Sequence, residues 1–220
     1  MARPKEKDRK DVRALVLKTA FRLFLKYGYD KVTMRKIAEE IGYTPGTIYL
    51  YFNNKAEILY ELHNEGFKLF QDRRSEALDA CEENTTSIEK LAAVGKNYIT
   101  FALENPELYE LMFFMREPRD HIEARKKNAG EGQAPAIDYA LMTYENLKQS
   151  IVECMDEGYL KGVDADLAAF FHWALGHGLV SLAIRHRIPF PQEPTKELAF
   201  AGIDLVIRLI KSAGNNTAKE

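Results

Sequence analysis

The chain is short of the residues that support covalent, metal or redox chemistry. It has two cysteines in 220 residues, Cys81 and Cys154, with no CxxC pair and no metal-ligand spacing. A disulfide framework and a zinc site are therefore not expected, and the thiols read as reduced structural groups in a reducing compartment. Histidine is also sparse, at five residues. His172 and His177 are five apart and fall on different faces of a helix, so no shared metal is expected, and His177 reads first as a core or interface histidine. No Ser-His-Asp arrangement, Gly-rich phosphate loop or HExxH spacing is present. An enzyme using His121, His172, His177 or His186 as a base is the rival reading, and it lacks a supporting constellation. No cofactor is expected. No segment is expected to be long enough to cross a membrane: Arg13, Lys18 and Arg22 break the apolar stretch 12–24. No membrane span and no cleavable leader are expected, which points to a cytoplasmic protein with no membrane partner.

Net charge is close to neutral, at −2, but it is unevenly spread. Residues 1–60 hold 13 Lys and Arg against 7 Asp and Glu, while the remainder holds 18 against 26. One positive end and one negative end steer a polyanion to a single face. Arg3, Lys5, Lys7, Arg9 and Lys10 precede the first apolar period. Residues 1–10 are expected to form a flexible basic arm along phosphates or in a minor groove, with an ordinary solvated tail as the alternative.

The most informative stretch is 33–52. Thr33 can cap a helix whose Met34, Ile37, Ala38 and Ile41 recur at helical spacing, and Gly42 supplies the left-handed residue that ends it. Thr44 can cap a second helix, with Pro45 at its first position. Ile48 and Phe52 anchor that helix inward, leaving Thr44, Gly46, Thr47, Tyr49 and Tyr51 outside. Gly46 permits close approach of a sugar-phosphate backbone. The hydroxyls can donate to phosphate oxygens, and the Thr47 methyl can meet a thymine methyl. Lys55 opens the next helix, where its ammonium and the free N–H groups can share a phosphate. Arg35 and Lys36 stand at the rim. The alternative is a plain helical hairpin with exposed tyrosines.

Residues 15–60 resemble the DNA-binding domain of the TetR family of transcriptional regulators. Leu17, Ala20, Phe21, Phe24 and Gly28 match the family's first helix and its glycine stop. Thr33, Ile37, Ala38, Gly42, Gly46, Thr47, Tyr49, Tyr51, Phe52 and Lys55 match the remainder. Thr44 stands where serine is commoner and keeps the capping hydroxyl; Tyr43 replaces a smaller apolar residue. The resemblance implies a helix-turn-helix domain, a two-fold dimer on a palindromic double-stranded operator, and release when a ligand changes the spacing of the recognition helices.

Beyond residue 60 the chain reads as helix throughout, with no alternation bounded by hairpin turns, so an all-α fold is expected. The organisation read from sequence is a helix-turn-helix domain over 11–57, a helical ligand-binding and dimerisation domain over 58–213, and a polar tail over 214–220. Helices are expected over 55–82, 87–104, from 106, and over 136–157, 165–187 and 193–212, with a long charged loop over 116–135. Tyr98, Phe101, Met112, Phe113, Met115, Tyr139, Met142, Tyr144, Phe170 and Phe171 supply surfaces suited to a small apolar or aromatic ligand, packing of the core being the alternative for each. Helix 165–187 is apolar nearly all round, and the last helix is almost as broad. A four-helix dimer interface is expected from them, carried by Trp173, Gly176, His177, Val180, Ile184, Ala199, Gly202, Val206 and Leu209. Trp173 with His177-Gly178 resembles a Trp-His-Gly subgroup within the family. A DNA-binding dimer that takes no ligand is the second alternative.

Overall fold

The computed structural model describes residues 6–115, 138–189 and 194–216, with side chains between 11 and 212. It contains α1 Glu6–Tyr27, a 3-10 turn Tyr29–Lys31, α2 Met34–Glu40, α3 Pro45–Tyr49, α4 Lys55–Asp79, α5 Ser87–Glu104, α6 Pro106–Phe113, α7 Tyr139–Asp156, α8 Ala165–Ile184 and α9 Thr195–Asn216. The fold is all-α, with no strand among the described residues. The expected loop 116–135 and His121 lie outside them.

Contacts divide the chain into two compact units, Met1–Gly66 with Glu107–Asp138, and Phe67–Pro106 with Tyr139–Glu220. The division falls inside α4 at Gly66 rather than at 57, and α6 belongs mostly with the first unit. In that unit Leu17, Ala20 and Phe24 of α1, Ile37 and Ala38 of α2, Ile48 and Phe52 of the α3 segment, and Ile58 and Leu59 of α4 form one buried cluster. Leu111 of α6 joins it, fully buried. A Cβ on Gly66 would stand 2.7 Å from Met112 Sδ, so α6 lies against α4 with no room for a side chain between them. Leu111→Ala is expected to cost about 3 kcal/mol, the usual penalty for emptying a buried leucine site. A lowered urea midpoint would register it.

Two expectations change in this unit. α1 begins at Glu6, so Lys7, Arg9 and Lys10 form its first turns rather than an arm; Arg3 and Lys5 lie outside the described residues. The α3 helix stops at Tyr49, and Tyr51 turns back to pack against the cluster instead of facing outward.

In the second unit Leu91, Ile99 and Phe101 of α5, Ile151 of α7, Ala169 and Val180 of α8, and Ala199 and Ile203 of α9 are buried. Glu89 closes a capping box at the start of α5, accepting from the Thr86 N–H at 3.1 Å and from its hydroxyl at 2.7 Å. The Glu157 carboxylate at the end of α7 accepts from the Ser87 N–H and hydroxyl, at 2.9 and 2.7 Å. Asp164 accepts from the Leu167 N–H at 2.9 Å and caps α8. The 20 residues of α8 are long and apolar enough to cross a membrane by length and composition alone, contrary to the expectation that no segment would be; a third of them are buried. α9 continues to Asn216, into the expected polar tail.

Candidate nucleic-acid interface and ligand site

The turn between α2 and α3 is set by local chemistry. Thr33 Oγ1 accepts from the Lys36 N–H at 3.1 Å and starts α2. Gly42, at φ +73°, ends it: its N–H bonds the Glu39 carbonyl at 3.2 Å and the Tyr43 N–H bonds the Ala38 carbonyl at 2.9 Å. Thr44 Oγ1 then accepts from the Thr47 N–H at 3.4 Å and lies 3.0 Å from Thr47 Oγ1, with Pro45 opening α3. A Cβ on Gly46 would meet nothing closer than Thr44 Oγ1 at 3.8 Å, which leaves the helix start open to a backbone. Tyr49 is 54 % exposed. Beyond it stands Leu50, 72 % exposed, the most exposed large apolar residue described. Sequence reasoning missed Leu50 because it took one face of α3 as inward and counted only polar groups on the other. Leu50 follows the last residue of α3 as its C-cap, an exposed apolar side chain next to Tyr49.

The cations at this surface do different work. Arg35 is exposed and holds Glu39 through Nε at 2.7 Å, leaving its terminal nitrogens at the rim. Lys36 Nζ lies 3.4 Å above the centre of the Tyr27 ring. The Lys55 ammonium points inward instead of toward a phosphate: it donates to the carbonyls of Tyr29 and Val32 at 2.8 and 3.1 Å and sits 4.1 Å from the centre of the Tyr29 ring. Lys55 thus ties the turn after α1 to the start of α4. Three backbone oxygens collected near one point, counting Asp30 at 3.4 Å, outcompete solvent for the ammonium.

The residues expected to line a ligand cavity are split. Met112, Phe113 and Met115 belong to the first unit, where Met115 packs against its core. Phe170 and Phe171 point outward, at 56 and 64 % exposure. Phe101 is fully buried, its ring 5.3 Å from that of Phe70. Tyr98 and Tyr144 do come together, in a closed ring of four helices. Phe70 of α4 meets Tyr98 of α5 at 5.7 Å, and the Tyr98 hydroxyl bonds His177 Nδ1 of α8 at 2.9 Å. Trp173 of α8 meets Tyr144 of α7 at 5.8 Å. Gln71 of α4 closes the ring by donating to Thr143 Oγ1 at 2.6 Å and accepting from Asn146 Nδ2 at 2.9 Å. Tyr139 and Met142 are half-buried on the same helix, the Tyr139 carbonyl accepting from Thr143. Burial pushes the His177 and His172 imidazoles down to about 4, so both are neutral at pH 7.

Most of the residues expected at a dimer interface face this interior. Gly176 abuts the Tyr98 ring, Val180 and Ala199 are buried, and a Cβ on Gly202 would meet Leu179 at 3.0 Å. Trp173 and His177 contact each other, and Ile184 and Val206 are half-buried. Leu209, exposed on α9 alongside Leu205, and Trp173, 38 % exposed, are the exceptions. On α8 the uncovered stripe is Leu167, Phe171, Ala174, Gly178 and Leu182. A helix apolar on every side gives no sequence signal of which stripe turns inward.

Comparison with known proteins agrees with this geometry. Residues 16–62 match the profile of bacterial regulatory proteins of the tetR family, and residues 91–206 that of the Tetracyclin repressor-like C-terminal domain. The chain is 30% identical over 155 residues to the fatty acid metabolism regulator protein of Bacillus subtilis, covering 70% of this chain and 73% of that one. It is 27% identical over 184 residues to the transcriptional regulator TtgR of Pseudomonas putida, covering 82% and 83%. The solved fatty acid degradation regulator FadR of Bacillus halodurans superposes with a TM-score of 0.66 at 19% identity, covering 94% of this chain and 97% of that one.

Proposed function

The chain belongs to the tetR family of bacterial regulatory proteins and is a DNA-binding transcriptional regulator, and we propose that it is a homodimeric repressor released from a palindromic operator by a small, largely apolar ligand held in the second unit. The observation that carries the DNA side is the open face of α3, where Thr44, Gly46, Thr47, Tyr49 and Leu50 stand clear of the core. Support for the dimer is the apolar stripe on α8 and α9 that one chain leaves exposed. The aromatic ring of four helices supports a ligand with a large apolar body, and the Bacillus relatives named for fatty acid metabolism and degradation suit that class.

Selection of duplexes from a random pool, followed by binding of the winner across a salt series, tests the reading. A palindromic winner with a steep negative salt slope is expected; no enrichment over random duplex would remove operator recognition. On the selected site Tyr49→Phe is expected to cost about 1 kcal/mol through one lost hydroxyl contact. Leu50→Ala should leave the salt slope unchanged and relax preference for thymine at one position by about 1 kcal/mol. Lys55 is not a clean probe, because its removal also frees the turn carbonyls.

A further inference from the structure

The interior of the second unit is over-supplied with hydrogen-bond donors. Arg74, on α4 beside Gln71, is half-buried, and its NH2 group reaches only neutral acceptors: the Asn146 carbonyl at 3.4 Å and Ser150 Oγ at 3.2 Å. Arg13, Arg22, Arg35 and Arg73 each hold a glutamate. Arg74 has no carboxylate at ion-pair distance among the described residues; Glu153 acts on it only as a more distant charge. Gln71 cannot help, because its amide is already clamped by Thr143 and Asn146.

Two more interior nitrogens lack a hydrogen-bond partner among the described residues, Asn97 Nδ2 of α5 and His172 Nδ1 of α8. His172 is more than nine-tenths buried. A guanidinium withdrawn from water without a counter-charge is costly, and so is each unpaired buried nitrogen. For Arg74 the remedy is an incoming oxygen acceptor that bears negative charge.

Resting on the ligand-responsive reading above, we propose that the ligand is an amphipathic oxyanion, a carboxylate or phosphate on an apolar body, whose head group is received by Arg74 while the body lies against the aromatic ring. Arg74 then sets the class of ligand, and the ring sets the shape of its tail. A guanidinium suits this role because its planar fork can hold two oxygens of one head group.

The test uses the full-length dimer with matched probes of one chain length: dodecanoate, dodecyl phosphate and dodecanol, titrated below their micelle concentrations. Binding is read by native mass spectrometry and by release of the selected operator duplex. The expected result is at least tenfold tighter binding of one anionic probe than of dodecanol, and the identity of that probe separates carboxylate from phosphate. Arg74→Gln should collapse the preference to about twofold, and Arg74→Lys should keep part of it. Arg74→Met adds a readout that a structural arginine would not give: the ligand-free protein should melt at the same temperature or higher, because no ion pair is broken, while the shift induced by the anionic probe disappears. Equal binding of dodecanol, or an anion preference unchanged in Arg74→Gln, overturns the assignment and leaves a ligand-responsive repressor standing. Binding of none of the three probes, with operator binding intact, overturns the assignment and counts against ligand response as well.

Discussion

Phe171→Glu is expected to leave the protein monomeric at micromolar concentration and to weaken binding to a full palindromic operator by about 100-fold or more. The Phe171 side chain is 64 % exposed, and Leu167 at 61 % and Leu209 at 58 % stand on the same two helices. Large apolar groups presented in a row on packed helices gain about 1.5–3 kcal/mol each when a second surface removes them from water. In a two-fold dimer this surface would meet its own copy, so one carboxylate in the sequence would become two in the interface. Neither belongs to the chain's own core, so far-UV circular dichroism should match the parent. The loss in operator affinity follows from geometry. A single α3 helix reaches one half-site, and pairing makes the second half-site an intramolecular event. Sedimentation equilibrium and operator titration would check both halves. A monomeric variant that bound the full operator like the parent would sink the two-fold reading, and a variant that stayed dimeric would move the interface away from α8.

The contrast between α2–α3 and α8 explains what was readable in the sequence. In the former, single residues with one physical use fix the backbone: Thr33 and Thr44 cap, Pro45 starts, and Gly42 turns at φ +73°. Each acts within four residues of itself, so the sequence carries the whole argument. The start of α8 is set by equally local chemistry, the Asp164 cap. The rotation of α8 about its own axis was not readable. Ala168, Ala169, His172, Gly176, Val180 and Ala183 are the buried stripe, yet Leu167, Phe171 and Leu182 on the other side are larger and more apolar. Hydrophobicity marks what is removed from water in the assembled molecule, and it does not say by which neighbour. Lys55 illustrates a second limit. A lysine at a helix start reads equally well as a phosphate ligand or as a hydrogen-bond donor, and only the placement of the Tyr29, Asp30 and Val32 carbonyls decides. The return of Leu111 to the first unit is a third, because a leucine periodicity reports burial and carries no address.

Acidification from pH 7 to pH 4.5 is expected to destabilise both units steeply, with buried histidines as the cause, His177 among them and His63 and His172 the most deeply buried. His63 of α4 and His172 of α8 are 4 % and 8 % exposed. Burial pushes both imidazoles from 6.5 down to about 4, with a hydrogen bond to the Leu111 backbone partly opposing the change at His63. In the unfolded chain each takes up a proton near pH 6.5; in the folded chain neither does until about pH 4. Between those values the unfolded state binds more protons, so stability rises with pH across the window. The contribution is complete above about pH 6.5 and is lost as pH falls toward 4. Keeping each ring neutral across that window corresponds to about 3 kcal/mol per histidine, a large fraction of the stability of an ordinary domain. Thermal melts at half-unit pH intervals should therefore fall steeply below pH 6. His172→Leu should flatten the profile while leaving the melting temperature at pH 7.5 nearly unchanged, because it removes a neutral ring whose Nδ1 has no partner among the described residues. A parent melting temperature that stayed level to pH 4.5 would mean that both rings reach solvent on protonation, and the burial argument for a neutral interior at α8 would fall with it.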